Sequence, residues 1–126
     1  IAFHRLTLDG CRVFRNRKNR HLHQLQAVLN IIAKMLVKYP KLQIEVAGHS
    51  DNVGGEAYNM NLSQGRSESV RAYMTMVAPE LKGRLSAKGY GMSMPKADNN
   101  TESGRMHNRR TELQVLNKTA LREYNQ

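Results

Sequence analysis

The 126-residue sequence predicts an α/β fold, an α+β sandwich in which helices pack on one face of a mixed sheet, with elements in the order β-α-β-α-β-β. Two segments carry apolar residues at helical spacing. Four short segments have the alternation or the β-branched content that is typical of strands. Because 40% of the residues are apolar, the chain can form one domain with a hydrophobic core.

The first half of the chain supplies two strands and one helix. Residues 1–8 alternate apolar and polar side chains as a strand does, and Asp9-Gly10 then gives a turn signal. Helical periodicity runs from Leu22 to the break at Tyr39-Pro40, which predicts the first helix. Residues 42–48, LQIEVAG, indicate a second strand that ends at a polar, glycine-containing loop.

The second half repeats this alternation. Apolar positions between Leu62 and Val77 predict a second amphipathic helix, which Pro79 closes. Residues 84–90 and 111–117 have the pattern of two further strands, and a long polar loop joins them. We therefore divide the chain into three parts: an N-terminal strand with a basic loop (1–20), the main domain (21–117) and a C-terminal tail (118–126).

The composition narrows the classes of partner. Net charge is +10, and residues 1–23 carry half of it, which suits nucleic acid, acidic lipid or a carboxylate-rich polymer. Cys11 is the only cysteine, so an internal disulfide and a cysteine metal cluster are excluded. No apolar run reaches about 18 residues, and the chain begins at Ile1. We expect a piece of a longer parent protein, with membrane contact only through other parts of that parent.

One acidic residue stands at a place that favours binding. Asp51, in the string GHSDNVG, follows the second predicted strand, where open α/β folds display binding groups. By position alone, a turn aspartate that satisfies local amides explains Asp51 equally well. Further strings are needed to decide between the two interpretations.

Four strings occur in order along the chain: GHSD (48–51), NMNLSQGR (59–66), GYG (89–91) and GRMHNRR (104–110). In this order and spacing they resemble the OmpA-like peptidoglycan-binding domain of the OmpA C-terminal, Pal and MotB proteins. The resemblance covers residues 24–117. It departs from the family in the N-terminal region, where residues 11–24 carry five basic side chains and no acid.

The resemblance implies noncovalent binding of the diaminopimelate residue in peptidoglycan stem peptides. Asp51 would receive the ligand ammonium, and Arg66 would bind the carboxylate. A guanidinium fork matches a carboxylate, and a single carboxylate suits a compact ammonium. We expect Arg66 near the start of the second helix, where free backbone amides favour an anion. Asn59 would add a polar contact, and Arg109 would close the site as a second basic group.

The resemblance also implies a setting and a class of function. The domain would anchor an outer-membrane protein, lipoprotein or motor stator to the wall, in the periplasm of a Gram-negative bacterium, and a homodimer is left open. We expect no enzyme activity, metal or cofactor. A catalytic role for His49 would require a serine or cysteine nucleophile beside it, and the sequence shows no such pair in a recognisable arrangement. Arg105 and Arg110 are expected to brace the last loop and strand through carboxylates such as Glu112.

The sequence allows two other functions to be considered. The high positive charge allows a basic nucleic-acid-binding domain, although the sequence has no tryptophan and no recognisable RNA or DNA motif. A wall hydrolase would require paired catalytic carboxylates or a metal site, and the sequence offers no such pattern. Peptidoglycan binding is therefore the leading hypothesis.

Overall fold

The computed structural model describes residues 5–9 and 20–124. Within this part of the chain it contains four strands, four α-helices and one 3-10 turn. In order these are β1 (Arg5–Asp9), α1 (Arg20–Val37), β2 (Ile44–Gly48), α2 (Glu56–Val77), the 3-10 turn (Pro79–Leu81), β3 (Leu85–Gly89), α3 (Glu102–Asn108), β4 (Arg110–Val115) and α4 (Lys118–Tyr124).

The four strands form one mixed sheet in the order β1-β4-β2-β3. Strand β2 pairs in parallel with β3 and antiparallel with β4, which in turn pairs antiparallel with β1. The predicted α/β class and mixed sheet are confirmed. Because β2 is an interior strand, the loop that follows it leaves the sheet between two hydrogen-bonded neighbours.

The hydrophobic core lies between the sheet and the two long helices. Leu29 and Leu36 of α1 pack with Val46 of β2, Met74 of α2 and Leu113 of β4, and each is at most 1% exposed. Full burial of such side chains stabilises the fold by about 1.5–3 kcal/mol each. The spacing of seven residues between Leu29 and Leu36 places both on one face of α1, as the sequence predicts.

Helix α2 has a buried face of two kinds. Its second half buries Val70 and Met74, whereas its first half buries Asn59, Ser63 and Ser67. Small polar side chains let the helix axis approach the ends of the strands. The periodicity of apolar residues begins only at Leu62, so the sequence placed the start of α2 six residues too late.

Two glycines make this close approach possible. A Cβ atom at Gly48, the last residue of β2, would collide with the backbone carbonyl of Ser63. A Cβ at Gly89, the last residue of β3, would collide with the backbone nitrogen of Gln64. Any side chain at either position would push α2 away from the sheet. Helix α2 is thus held against the carboxyl ends of β2 and β3.

Two segments differ from expectation. Asp9, predicted as part of a turn, is the last residue of β1 and pairs with Arg110. Residues 118–124, which we assigned to a tail, form α4, and its Ala120 and Leu121 join the core cluster. Most of the predicted basic loop, along with residues 1–4 of the predicted first strand, lies outside the described residues.

Candidate functional site

Asp51 lies three residues beyond β2, as the sequence predicts. Its loop is fixed to two neighbouring segments, because the His49 amide donates to the Arg110 carbonyl and the Ser50 amide to the Gly91 carbonyl, both at 2.9 Å. The Asp51 carboxylate accepts the Val53 amide on Oδ1 at 3.0 Å and Arg109 Nη1 on Oδ2 at 2.8 Å. With its side chain 11% exposed, the carboxylate is held in place at the edge of the surface.

Asn59 stabilises the loop that carries Asp51. It lies in the first turn of α2 and is 1% exposed. Its Nδ2 donates to the Val53 carbonyl at 3.0 Å and contacts the Met92 sulfur at 4.0 Å. Asn59 therefore connects the loop after β2 with the loop after β3. Its predicted contact with a ligand stays a prediction.

Arg109 bridges two carboxylates. One arm of the guanidinium donates to Asp51, and Nη2 donates to Glu102 Oε1 at 2.7 Å. The hydrogen bonds that Arg109 donates, to Glu102 first and to Asp51 second, raise the pKa of Arg109. The hydrogen bonds from Arg109 and Arg105 lower the pKa of Glu102. The structure thus brings Arg109 to Asp51, and its predicted role in closing a ligand site stays a prediction.

Arg66 lies in the middle of α2, so its predicted position near the helix start is wrong. It follows Glu56, the first residue of the helix, by ten positions, which corresponds to about 15 Å along the axis. At that distance the free amides and the dipole of the helix N-terminus contribute little. Arg66 lies two helical turns after Asn59, and its side chain is partly buried. Its pairing with Asp51 across a ligand stays a prediction.

A second charged cluster lies behind the Asp51 loop. His49 is 1% exposed, stacks on Tyr90 with ring centroids 5.3 Å apart, and has its Nε2 3.8 Å from Glu112. Arg110 Nε donates to Glu112 Oε1 at 2.8 Å, and Gln114 donates to Oε2 at 3.0 Å. The predicted bracing role of Arg110 is confirmed. Arg105 also has the predicted bracing role, because its Nη1 donates to the Asn99 carbonyl at 2.8 Å.

Burial keeps the His49 imidazole neutral. Desolvation first, and then the nearby Arg110 charge, lower its pKa to about 4, against an opposing effect of Glu112. For Glu112, burial acts to raise the pKa, but the hydrogen bonds from Arg110 and Gln114 hold that pKa below its ordinary value. The hydroxyl of Ser50 donates to the Asp51 carbonyl at 2.8 Å rather than to His49. The His49 ring is thus held as a buried, neutral group between Tyr90 and Glu112.

Glu102 is the site residue that the sequence interpretation missed. The loop between β3 and β4 contains α3, which begins directly after Thr101, and the Thr101 hydroxyl accepts the Gly104 amide at 2.9 Å. A threonine followed by glutamate is a helix-start signal that could have been recognised. The role of Glu102 depends on Arg109, however, and no local pattern reveals that contact.

Within residues 5–9 and 20–124, no helix combines the length and the apolar character needed to cross a bilayer. In the same ranges, no three His, Cys, Asp or Glu side chains gather as a candidate metal site.

Comparison with known proteins identifies the family. A family model described as the OmpA family matches residues 19–109. Outer membrane porin F of Pseudomonas fluorescens is 46% identical over 86 residues, which are 67% of this chain and 26% of that protein. The outer-membrane lipoprotein YfiB of Pseudomonas aeruginosa is 36% identical over 103 residues, 82% of this chain and 61% of that protein. These relatives agree with the predicted location in the Gram-negative cell envelope.

Solved structures agree with the fold. The peptidoglycan-associated lipoprotein from Burkholderia pseudomallei superposes with a TM-score of 0.72 at 27% identity, covering 90% of this chain and 91% of that one. The cell wall anchor of the type VI secretion system (T6SS) from Pseudomonas aeruginosa gives 0.70 at 32% identity, covering 88% and 79%. The resemblance seen in the four sequence strings is confirmed, and the chain belongs to the OmpA family.

Proposed function

We propose that this domain binds peptidoglycan noncovalently and anchors an envelope protein to the cell wall. The observation that carries the proposal is the Asp51 carboxylate, which two donors hold in place beyond the end of an interior strand. Two structural relatives support it by name, one as a peptidoglycan-associated lipoprotein and the other as a cell wall anchor. The family match gives no support to the nucleic-acid alternative.

The ligand group that we propose is diaminopimelate in the stem peptide. The free end of this amino acid carries an ammonium and a carboxylate. Asp51 receives the ammonium, and Arg66 binds the carboxylate, since a planar guanidinium matches a carboxylate in two parallel hydrogen bonds. Asn59 and Arg109 support the site. Because its donors already orient Asp51, little conformational entropy is lost on binding.

A sedimentation assay with purified wall sacculi tests the proposal. We expect Asp51→Ala and Arg66→Ala each to reduce the bound fraction at least tenfold, because each removes a charge-assisted contact worth about 1.5–3 kcal/mol. Arg71→Ala is the matched control, since Arg71 is an exposed arginine on the same helix outside the family strings. If both site variants sediment as the parent does, the proposed site is wrong.

A competition assay tests the ligand group. The stem tripeptide L-alanyl-γ-D-glutamyl-meso-diaminopimelate should release the domain from sacculi, whereas the same tripeptide ending in L-lysine, whose side-chain end has an ammonium but no carboxylate, should compete at least tenfold more weakly. The Arg66→Ala variant should lose this discrimination. Equal competition by both tripeptides would contradict the proposed role of Arg66.

The proposal includes no chemical reaction. Incubation of sacculi with the domain should release no soluble wall fragments, and a gel that contains wall material should show no clearing. A clearing zone that survives purification would overturn the noncatalytic assignment.

A further inference from the structure

Four charged side chains of alternating sign form a chain that starts at Asp51. Arg109 Nη1 lies 2.8 Å from Asp51 Oδ2, and Arg109 Nη2 lies 2.7 Å from Glu102 Oε1. Glu102 Oε2 in turn accepts from Arg105 Nε at 3.1 Å. Arg105 is anchored to the protein backbone through the Asn99 carbonyl. The chain therefore connects the candidate ligand site with α3 and the loop before it.

The Arg109 guanidinium is divided between two carboxylates, with one arm on each. A guanidinium that meets a single carboxylate prefers to place both arms on it, in two parallel hydrogen bonds. Here Glu102 takes the second arm, so Asp51 receives only one. An ionised carboxylate can accept about four hydrogen bonds. The two donors described for Asp51 therefore leave part of its accepting capacity for another group.

We propose that Glu102 is a positioning residue for ligand binding, which draws one arm of Arg109 away from Asp51 and so keeps Asp51 able to accept the ligand ammonium. This inference rests on the proposed function. Without Glu102, both arms of Arg109 turn onto Asp51. The ammonium must then displace a bidentate partner, and its affinity falls.

The position of Glu102 separates this role from a role in folding. Its side chain is 62% exposed, so its removal leaves the core intact. The start of α3 keeps its cap without Glu102, because the Thr101 side chain accepts the Gly104 amide. The low pKa of Glu102, held down by the hydrogen bonds from Arg109 and Arg105, keeps it charged at neutral pH. Glu102 is thus an exposed group, charged at neutral pH, that acts through Arg109.

Calorimetric titration with the stem tripeptide L-alanyl-γ-D-glutamyl-meso-diaminopimelate tests the proposal on the 126-residue chain. Glu102→Gln should weaken binding about fivefold, the scale expected for one exposed ion pair. Glu123→Gln is the matched control, because Glu123 is an exposed acid that pairs with Lys41 at 2.7 Å on another part of the surface. The control should bind as the parent does, and both variants should unfold at the same denaturant concentration.

The same substitution in an Arg109→Gln background shows whether Glu102 acts through Arg109. There Glu102→Gln should change the affinity by less than about twofold, since the arm that it restrains is gone. A fivefold loss that persists in this background would mean that Glu102 attracts the ligand directly, and it would overturn the proposal. So would an unchanged or tighter affinity in the single variant. If the parent chain itself fails to bind the tripeptide, the proposed function fails instead.

Discussion

Two arginines that are adjacent in the sequence, Arg109 and Arg110, end in opposite environments. Arg109 lies at the surface and divides its fork between Asp51 and Glu102. Arg110 begins β4, and its pair with Glu112 is buried, each side chain being 6% exposed. Arg109 caps the end of α3, whereas Arg110 is the first residue of β4 and lies on the same sheet face as Glu112, opposite the core residue Leu113. Asp51, Glu102 and Arg109 form a surface cluster that includes one exposed carboxylate. His49, Arg110 and Glu112 form a buried cluster.

Removing one member of the buried pair should show the largest difference. Arg110→Ala leaves Glu112 buried without its main partner, and we expect a loss of about 3–5 kcal/mol in the free energy of unfolding. Arg109→Ala, the matched neighbour, should cost less, about 1 kcal/mol, because its partner Glu102 is 62% exposed and Asp51 keeps the Val53 amide as a donor. Denaturant titration measures both values.

A double replacement shows whether the loss in Arg110→Ala comes from the unpaired Glu112 charge or from general misfolding. Arg110→Met combined with Glu112→Leu removes both charges and should recover most of the lost stability, since apolar residues of similar volume replace buried pairs well. Equal losses for Arg109→Ala and Arg110→Ala would show that the two clusters do not differ as described.

The second-largest expected difference between the two clusters is in the pH dependence of stability. His49 belongs to the buried cluster, where Arg110, Glu112 and Arg5 are the charged groups that affect its pKa. Its pKa falls from 6.5 in the unfolded chain to about 4 in the fold. The unfolded state therefore binds more protons between these values, and stability falls as the pH drops from about 6.5 to about 4. The full effect is about 3 kcal/mol.

The variant His49→Gln isolates this contribution. Its stability should decline less steeply than that of the parent between pH 6.5 and 4, whatever its stability at neutral pH. Parallel curves for His49→Gln and the parent would contradict the low pKa of His49.

The smallest change in stability should accompany the clearest change in binding. Asp51→Asn keeps the shape of the side chain and leaves Arg109 its contact with Glu102, so we expect a loss of about 1 kcal/mol or less. Glu112→Gln should instead destabilise the fold by several kcal/mol. In sacculus sedimentation at a temperature where both are folded, only Asp51→Asn should lose binding. Loss of binding in both variants would join the two clusters into one functional unit.

Elements with apolar periodicity could be predicted from the sequence, whereas those with small or polar buried faces could not. Helix α1 and the strands have such a pattern, as does the second half of α2. The first half of α2 buries Asn59, Ser63 and Ser67, and α3 buries only Gly104 and Asn108. No hydrophobic pattern marks these segments, because they pack through glycine contacts and hydrogen bonds.

Only part of the candidate site could be predicted, because its contacts join residues that are far apart in the sequence. The family strings point to Asp51, Asn59, Arg66 and Arg109 one at a time. The contact between Asp51 and Arg109 joins residues 58 positions apart, and no local pattern reveals it. Arg66 was misplaced relative to the helix start because the apolar pattern of α2 begins late. Glu102 was missed because its partner, rather than its neighbours in the chain, defines its role.

The interior position of β2 has a mechanical consequence for a tether. Asp51 follows this strand by three residues, so under the proposed function a pull from the wall would enter the protein along β2. Strand β2 is hydrogen-bonded to β3 on one side and to β4 on the other, in registers that span its five residues. A force along the strand must shear both ladders together, whereas an edge strand could be peeled away one bond at a time. The proposed attachment point therefore follows one of the two strands, β2 and β4, that are hydrogen-bonded on both sides and best able to resist tension.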